Sequence, residues 1–302
     1  MKSLNPVQAL WFAVLVTGVY PVAGKLAAGI ISPSLLLLCA TAMAVLFFTP
    51  WLTKNKLWGR YFHRDTFPLF CMIGLFGTAL PFLLMLIALT YTTPANAAIL
   101  NQVEVIYSLI LTAVLLGERP TAKQLLGTAL VVSGVLMILL GERFSIRWKG
   151  DLIVICTVWM FQLSHIFAKK LPADLQPQFI TAGRSMFAFV WSLPIMLVLR
   201  KFGFDINTFV PGWKLAGILF YMGIINYAVG NAAWYKAIRN MDLSKATAVI
   251  LSYPVITYCV SVMLGIDTLN LSQLAGLALA LSGAYLVTHI IRKEKKNEIS
   301  TV

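Results

Sequence analysis

Charge is scarce in this chain of 302 residues: Asp, Glu, Lys and Arg together make up 12% of it, against roughly a quarter in soluble domains. With 59% hydrophobic residues and a mean hydropathy of +0.83, that scarcity excludes an ordinary soluble domain and marks a multispanning membrane protein. Cysteine is also rare. Cys39, Cys71, Cys156 and Cys259 fall inside apolar stretches without Cys-x-x-Cys spacing, so they imply neither disulfide nor metal and read as small buried hydrophobes. There is no His-Glu-x-x-His, no Gly-x-Ser-x-Gly and no phosphate-cradling P-loop, which argues against an intramembrane enzyme and calls for no cofactor. The alternation of a β-barrel strand is missing too, since runs such as Ser34 to Thr49 are apolar almost throughout. No cleavable signal peptide is evident: the first apolar stretch is full length and lacks a convincing small-residue cleavage site, so it is expected to stay.

What the chain does have is apolar length. Ten stretches approach the roughly 20 residues needed to cross a bilayer as a helix: 7–27, 33–52, 68–90, 94–116, 122–141, 151–169, 177–199, 213–235, 245–265 and 271–291. The expected fold is all-α and membrane-embedded, with ten transmembrane helices. The formal net charge is +13, and its placement speaks for topology rather than for nucleic acid. Lys and Arg concentrate on alternate loops, at Lys54 to Arg64, Arg119, Lys123, Lys169, Lys170, Lys236, Arg239, Lys245 and Arg292 to Lys296. The positive-inside rule then puts both termini in the cytoplasm and the protein in the cytoplasmic (inner) membrane. Lys25, Arg143, Arg147, Lys149, Arg200, Lys201 and Lys214 are left outside, and the tail 292–302 is a basic flank touching anionic lipid.

The chain also repeats itself. A shift of 149 lays Gln124-Leu-Leu-Gly-Thr-Ala-Leu-Val-Val-Ser-Gly134 on Gln273-Leu-Ala-Gly-Leu-Ala-Leu-Ala-Leu-Ser-Gly283, and pairs Ala88 with Ala237 and Glu118 with Asp267. A shift of 144 pairs Lys25 with Lys169, Pro33 with Pro177 and Pro50 with Pro194. Such self-similarity signals duplication, with repeats at 1–149 and 150–291. Each copy has five spans, an odd number, so the second enters the bilayer from the opposite side. Inverted repeats of this kind place a cavity between the copies at mid-depth, as in many secondary transporters.

Polar residues inside spans mark where that cavity should lie. In span four, which opens at Pro94, the positions Ala97, Asn101, Glu104 and Ser108 share one helical face, and a carboxylate near the midplane costs about 2.5 to 3.5 kcal/mol unless it meets protein, water or a partner. Span one carries Tyr20-Pro21, where proline removes a backbone hydrogen bond and should kink the helix. Span three holds Gly74, Gly77 and Pro81, for close packing or flexibility. Span six has Trp159, Gln162 and His165, span seven Arg184, and span eight Asn226, Tyr227 and Asn231 with Trp234. Span nine has Tyr253-Pro254, where the duplication sets Tyr253 opposite Glu104. His63 and His289 read as solvated or interfacial. Ala129-x-x-x-Ser133 and Ala278-x-x-x-Ser282 give spans five and ten small-residue faces for helix contact.

Two five-helix repeats, the Leu116-Gly117-Glu118-Arg119-Pro120 turn and the glycines Gly127 and Gly134 resemble the drug/metabolite transporter superfamily, specifically its EamA-type members, over almost the whole chain. The resemblance implies a ten-helix carrier that moves small metabolites, often amino acids or their relatives, or toxic compounds, commonly outward. It also implies a cavity surrounded by spans 1, 3, 4, 6, 8 and 9, with 5 and 10 as supports. An arginine often found in the second and seventh spans of the family matches Arg184, whereas the corresponding position in span two is Ala40. The second copy departs from the turn motif, with Gly265-Ile266-Asp267.

The leading functional reading is a secondary transporter for a small polar or zwitterionic metabolite, or a toxic organic compound, with the bilayer and, if Glu104 titrates, protons as further partners. A channel or lipid scramblase with a polar path is the alternative, and an intramembrane enzyme stands behind it. The expected substrate site comprises Glu104, Asn101, Arg184, His165, Trp159, Gln162, Tyr227, Asn231, Tyr253 and Tyr20. Arg184 could hold a substrate carboxylate as a fork donor and Glu104 an amine or a coupling proton. The structural alternative is an Arg184–Glu104 ion pair, or an arginine that snorkels to the inner interface.

Overall fold

The computed structural model describes residues 5–116, 121–139, 148–202, 208–241 and 243–266, together with 271, 274–279, 281–283, 285 and 286. Lys2, the turn at Gly117-Glu118-Arg119-Pro120, Arg143, Arg147, Asp267, Gln273, His289 and the basic tail lie outside these. The described residues are helical almost throughout, and their single backbone bridge of β type joins Ile31 to Phe209. Helix α1 is Pro6–Ala27, α2 Pro33–Lys54 and α3 Phe67–Tyr91; α4 runs from Pro94–Leu100 through a tight turn at Asn101–Val103 into Glu104–Leu116. Then come α5 at Ala122–Leu139, α6 at Trp148–Lys170, α7 at Pro177–Lys201 and α8 at Trp213–Ile238. Helix α9 consists of Leu243–Ile250 and Pro254–Met263 around a turn, and α10 of the apolar segment Leu274–Gly283. Seven of these are long and apolar enough to cross a membrane unaided; α9 and α10 are shorter apolar pieces, as is the apolar core of α5, Leu125–Gly134.

Local chemistry explains the helix starts. Proline occupies the first turn of α1, α2, α4 and α7, where its missing N–H would have been unpaired anyway. Asn5 caps α1 in a reciprocal box: its Oδ1 accepts from Gln8 N at 2.8 Å while Gln8 Oε1 accepts from Asn5 N at 3.0 Å, satisfying two end donors at once. Pro21 lies within α1 and does not break it. In α9, by contrast, Pro254 follows a turn at 251–253 that divides the helix in two.

The packing repeats itself when each helix is exchanged for the one five places along. Helix α2 lies on α7, which is its own counterpart; α1 on α8 answers α6 on α3, α2 on α8 answers α7 on α3, and α1 on α9 answers α6 on α4. Two close approaches make the exchange concrete. A Cβ on Gly74 would stand 2.8 Å from Ala188 N in α7, and one on Gly223 would stand 2.9 Å from Ala40 O in α2. Gly74 and Gly223 are 149 apart, and only glycine lets the backbones meet so closely. A Cβ on Gly283 of α10 would lie 2.5 Å from Gly127 O of α5, so the duplicated glycine segment does bring those two helices together. The two copies thus form inverted five-helix repeats around a common centre.

That centre is crossed by α4 and α9. Gln102 Nε2 donates to Leu251 O at 2.8 Å, a bond between two residues that are each other's counterparts under the 149 shift. Counterparts can touch only on the pseudo-two-fold axis, so the axis passes here.

Candidate functional site

The π-type turns come first, because they arrange the site. Helix α3 widens to π geometry at Leu75–Ala79 and α8 at Tyr221–Gly230, and the 149 shift lays the first stretch inside the second. Such turns shift the hydrogen-bond ladder by one residue and release a carbonyl, and they are frequent at functional positions. In α3, Gly77 O accepts from Arg184 Nη2. Arg184 Nε donates to Thr78 Oγ1 at 2.6 Å, and Nη1 to Asn231 Oδ1 at 3.2 Å and Tyr235 Oη at 3.3 Å. Its guanidinium carbon also sits 5.7 Å from the centroid of the Phe82 ring. At 2% exposure the arginine is fixed within the bundle and does not snorkel.

Glu104 is held just as specifically, on the other repeat. Its Oε2 accepts from Asn101 Nδ2 at 3.0 Å and its Oε1 from Gln162 Nε2 at 2.7 Å; Gln162 Nε2 also reaches Thr247 Oγ1 at 3.2 Å. Acid and guanidinium therefore each have their own neutral partners, and no ion pair joins them. The tight turn at Asn101–Val103 sets the acid and its amide partner on one side of α4.

Both groups border a central cavity of about 100 Å³. Much of its wall is composed of counterparts. Under the 144 shift Thr17 answers Phe161 and Pro21 answers His165; under the 149 shift, carried back into α3, Phe82 answers Asn231, Met85 answers Trp234, Asn101 answers Ile250 and Glu104 answers Tyr253, all of them lining residues. Four of these six pairs set a polar side chain against an apolar one, Thr17 against Phe161, Pro21 against His165, Phe82 against Asn231 and Asn101 against Ile250, and a fifth sets the acid Glu104 against the phenol Tyr253. The duplication supplied a symmetric hole, and divergence made its chemistry asymmetric. Several buried polar atoms on this wall have no protein partner: Asn101 Oδ1, His165 Nδ1, Asn226 Nδ2 and Trp234 Nε1. Buried polar groups are ordinarily paired, so acceptors and donors left open around one hole are ready for a bound molecule or water.

Seven of the ten residues expected from the sequence meet here: Glu104, Asn101, Arg184, His165, Asn231, Tyr253 and Tyr20. Three do not line the cavity. Gln162 stands behind Glu104 as its donor. Tyr227 is buried against the edge of Phe82, with centroids 5.0 Å apart. Trp159 lies half-buried beside Phe76, 6.0 Å between centroids, because two residues before Phe161 it points about 200° around α6 from the face of Phe161 and His165. Tyr253 Oη reaches across the axis to Ala98 O at 3.5 Å. The shared face expected on α4 holds for Ala97, Asn101 and Glu104, while Ser108 is buried outside the cavity. Sequence reasoning missed Thr78, Tyr235 and the Gly77 carbonyl around Arg184, and the lining residues Thr17, Phe82, Met85 and Phe161. The repeat offered a signal for two of these, since Phe82 and Met85 answer Asn231 and Trp234, which the sequence had singled out and which also line.

Helical repeats in inverted relation, enclosing a mid-bundle cavity with unpaired polar groups, define a carrier-type membrane protein. The EamA-like transporter family matches residues 6–140 and 148–289, and the chain belongs to that family, within the drug/metabolite transporters. It is a membrane transporter. Among its relatives, an uncharacterized transporter of Bacillus subtilis is 24% identical over 98% of both chains. A protein of Salmonella typhimurium named as a probable amino-acid metabolite efflux pump is 24% identical over 78% of this chain and 82% of its own. Another, of Streptantibioticus cattleyicolor, named as a probable terminal-alkyne amino-acid exporter, is 23% identical over 73% and 72%. A solved crystal structure superposes with a TM-score of 0.73 over 94% of this chain and 97% of its own, at 16% identity, which shows the same fold.

Proposed function

We propose that the protein is a secondary carrier that exports a small zwitterionic metabolite, an amino acid or a relative of one, across the cytoplasmic membrane by alternating access, with both termini in the cytoplasm and residues 1–149 and 150–291 as its two repeats. The carrying observation is the unpaired coexistence of Glu104 and Arg184 on one cavity, each held by neutral groups. A substrate with an amine and a carboxylate complements both. The apolar members of the wall, Phe82, Phe161, Met85 and Ile250, suit an uncharged side chain between the two charges. The names of two relatives as amino-acid exporters support the substrate class and the direction. Glu104 is the group proposed to carry a coupling proton.

The test is flux. The purified protein is screened by thermal shift against a metabolite library, since a ligand that binds only the folded state raises apparent stability, and the best ligand is then followed in proteoliposomes. Saturable uptake accelerated by unlabelled substrate on the far side is expected. Flux that rises linearly with concentration, without acceleration from the far side, would mark a channel and overturn the carrier reading.

A further inference from the structure

Two lysines that contribute no atom to the cavity wall carry the next inference. Lys25 Nζ donates to Leu89 O at 2.8 Å and to Thr92 O at 2.9 Å, the carbonyls that end α3. Lys169 Nζ donates to Met241 O at 3.3 Å, just past the end of α8. The arrangement is one contact made twice, because Lys25 answers Lys169 under the 144 shift and Thr92 answers Met241 under the 149 shift. A lysine at helix C-terminal carbonyls satisfies end acceptors and opposes the negative end of the helix dipole.

The two contacts lie at opposite faces of the bundle. Thr92 Oγ1 bonds Asp151 Oδ1 at 2.8 Å, which fixes the start of α6 at the face where Lys25 holds α3. From Asp151 to Lys169 is about 27 Å along α6 at 1.5 Å per residue. Each lysine also stands one helical turn beyond a cavity residue, Lys25 after Pro21 and Lys169 after His165, and those two residues answer each other as well. Each contact thus ties two cavity-lining helices together at a different mouth, α1 to α3 at one and α6 to α8 at the other.

We infer that Lys25 and Lys169 are the latches of the two mouths, each stabilising the closed state of its own side, so that their balance sets which side the cavity faces. The inference rests on the alternating-access reading. In this structure the Lys25 latch has the two shorter bonds, while the α6–α8 corner is reinforced by Arg239, whose Nη1 donates to Leu171 O at 2.9 Å and Nη2 to Pro172 O at 2.5 Å. Removing one lysine should therefore bias access toward its own side and leave the cavity chemistry alone.

The experiment reads access rather than transport. Cys39, Cys71, Cys156 and Cys259 are replaced by serine, a single cysteine is placed at the cavity-lining Ala97, and its reaction with a membrane-impermeant thiol reagent is timed in right-side-out and inside-out vesicles. Lys25→Met should raise the outside-to-inside ratio of rates about tenfold, and Lys169→Met should lower it about tenfold, each corresponding to about 1.4 kcal/mol. Lys→Arg at either site should keep the wild-type ratio, and the double methionine variant should return toward it because the two biases oppose. Equal changes from both sides, or no change, would overturn the latches while leaving wild-type counterflow intact. If Lys→Met and Lys→Gln all fail to assemble, the lysines are static braces and the inference is wrong. Loss of counterflow in the wild type would instead sink the carrier reading.

Discussion

Glu104 offers the sharpest test, because the structure states what replacing it should cost. Its two oxygens accept from Asn101 Nδ2 and Gln162 Nε2, and Glu104→Gln replaces one oxygen by a donor. Asn101 Oδ1 and Gln162 Oε1 have no partner, so turning one neighbouring amide over offers the new donor an acceptor and preserves both bonds. Charge-assisted bonds of about 1.5–3 kcal/mol become neutral ones of about 1, but a carboxylate costing about 2.5–3.5 kcal/mol at this depth is gone. The two effects nearly cancel, and the glutamine variant should lie within about 1 kcal/mol of wild type. Glu104→Leu enjoys the same relief and strands both donors, at about 1–3 kcal/mol each. Thr247 Oγ1, 3.2 Å from Gln162 Nε2, keeps the Gln162 share low, so the leucine variant should fall about 2–4 kcal/mol below the glutamine one. Thermal melts of the three purified proteins measure this order. In proteoliposomes the glutamine variant should still show saturable counterflow, at a raised KM because the substrate amine has lost its anionic partner, and should lose acceleration by a pH gradient. A glutamine variant that melts with the leucine variant would refute the hydrogen-bond argument, and one that still responds to the gradient would refute proton carriage by Glu104.

Arg184→Lys loses the planar fork that meets Gly77, Thr78, Asn231 and Tyr235 and should raise KM for carboxylate substrates about tenfold or more, read from initial rates; an unchanged KM would remove it from substrate binding. Gly283→Leu drives a side chain into Gly127 O and Val131 N and should cost about 1–3 kcal/mol, so a wild-type melting temperature would show that the α5–α10 contact is not made. Single cysteines at Asn55 and Gly212 should label from opposite faces of intact cells, and labelling from one face would contradict the inverted repeat. In the loops, the Arg60 hydrogen bond at 2.5 Å holds the exposed Asp174 carboxyl below its ordinary range. Its tether between the α2–α3 and α6–α7 loops is thus present above the ordinary carboxylate pKa and lost as pH falls through the lowered one; Asp174→Asn should flatten the acid limb of a melting-temperature profile, and an unaltered limb would mean the pair contributes nothing.

Helix number, helix ends and the inverted duplication were legible in the sequence because each depends on short-range pattern: apolar length against bilayer thickness, proline at a first turn, and self-similarity at a fixed shift. Seven of the ten residues expected at the site line the cavity for a related reason, since a polar side chain inside a span must turn toward the bundle. The pairing of groups was not legible. Arg184 and Glu104 invited an ion pair on charge and depth, yet the Gly77 carbonyl and the Thr78 hydroxyl in the π-type stretch of α3 accept from Arg184, and α6 brings Gln162 to Glu104, leaving the two charges apart. Trp159 and Tyr227 lie off the cavity wall, because the rotation of a helix about its axis decides between wall and packing, and apolar composition all round a helix leaves that rotation undetermined. Only the tertiary structure fixes it, through glycines such as Gly74 and Gly223 that let two backbones meet at one angle and no other. The same holds for Lys25 and Lys169: the sequence shows two basic residues near helix ends, but the carbonyls they hold lie more than sixty residues away, and only the folded bundle brings them within reach.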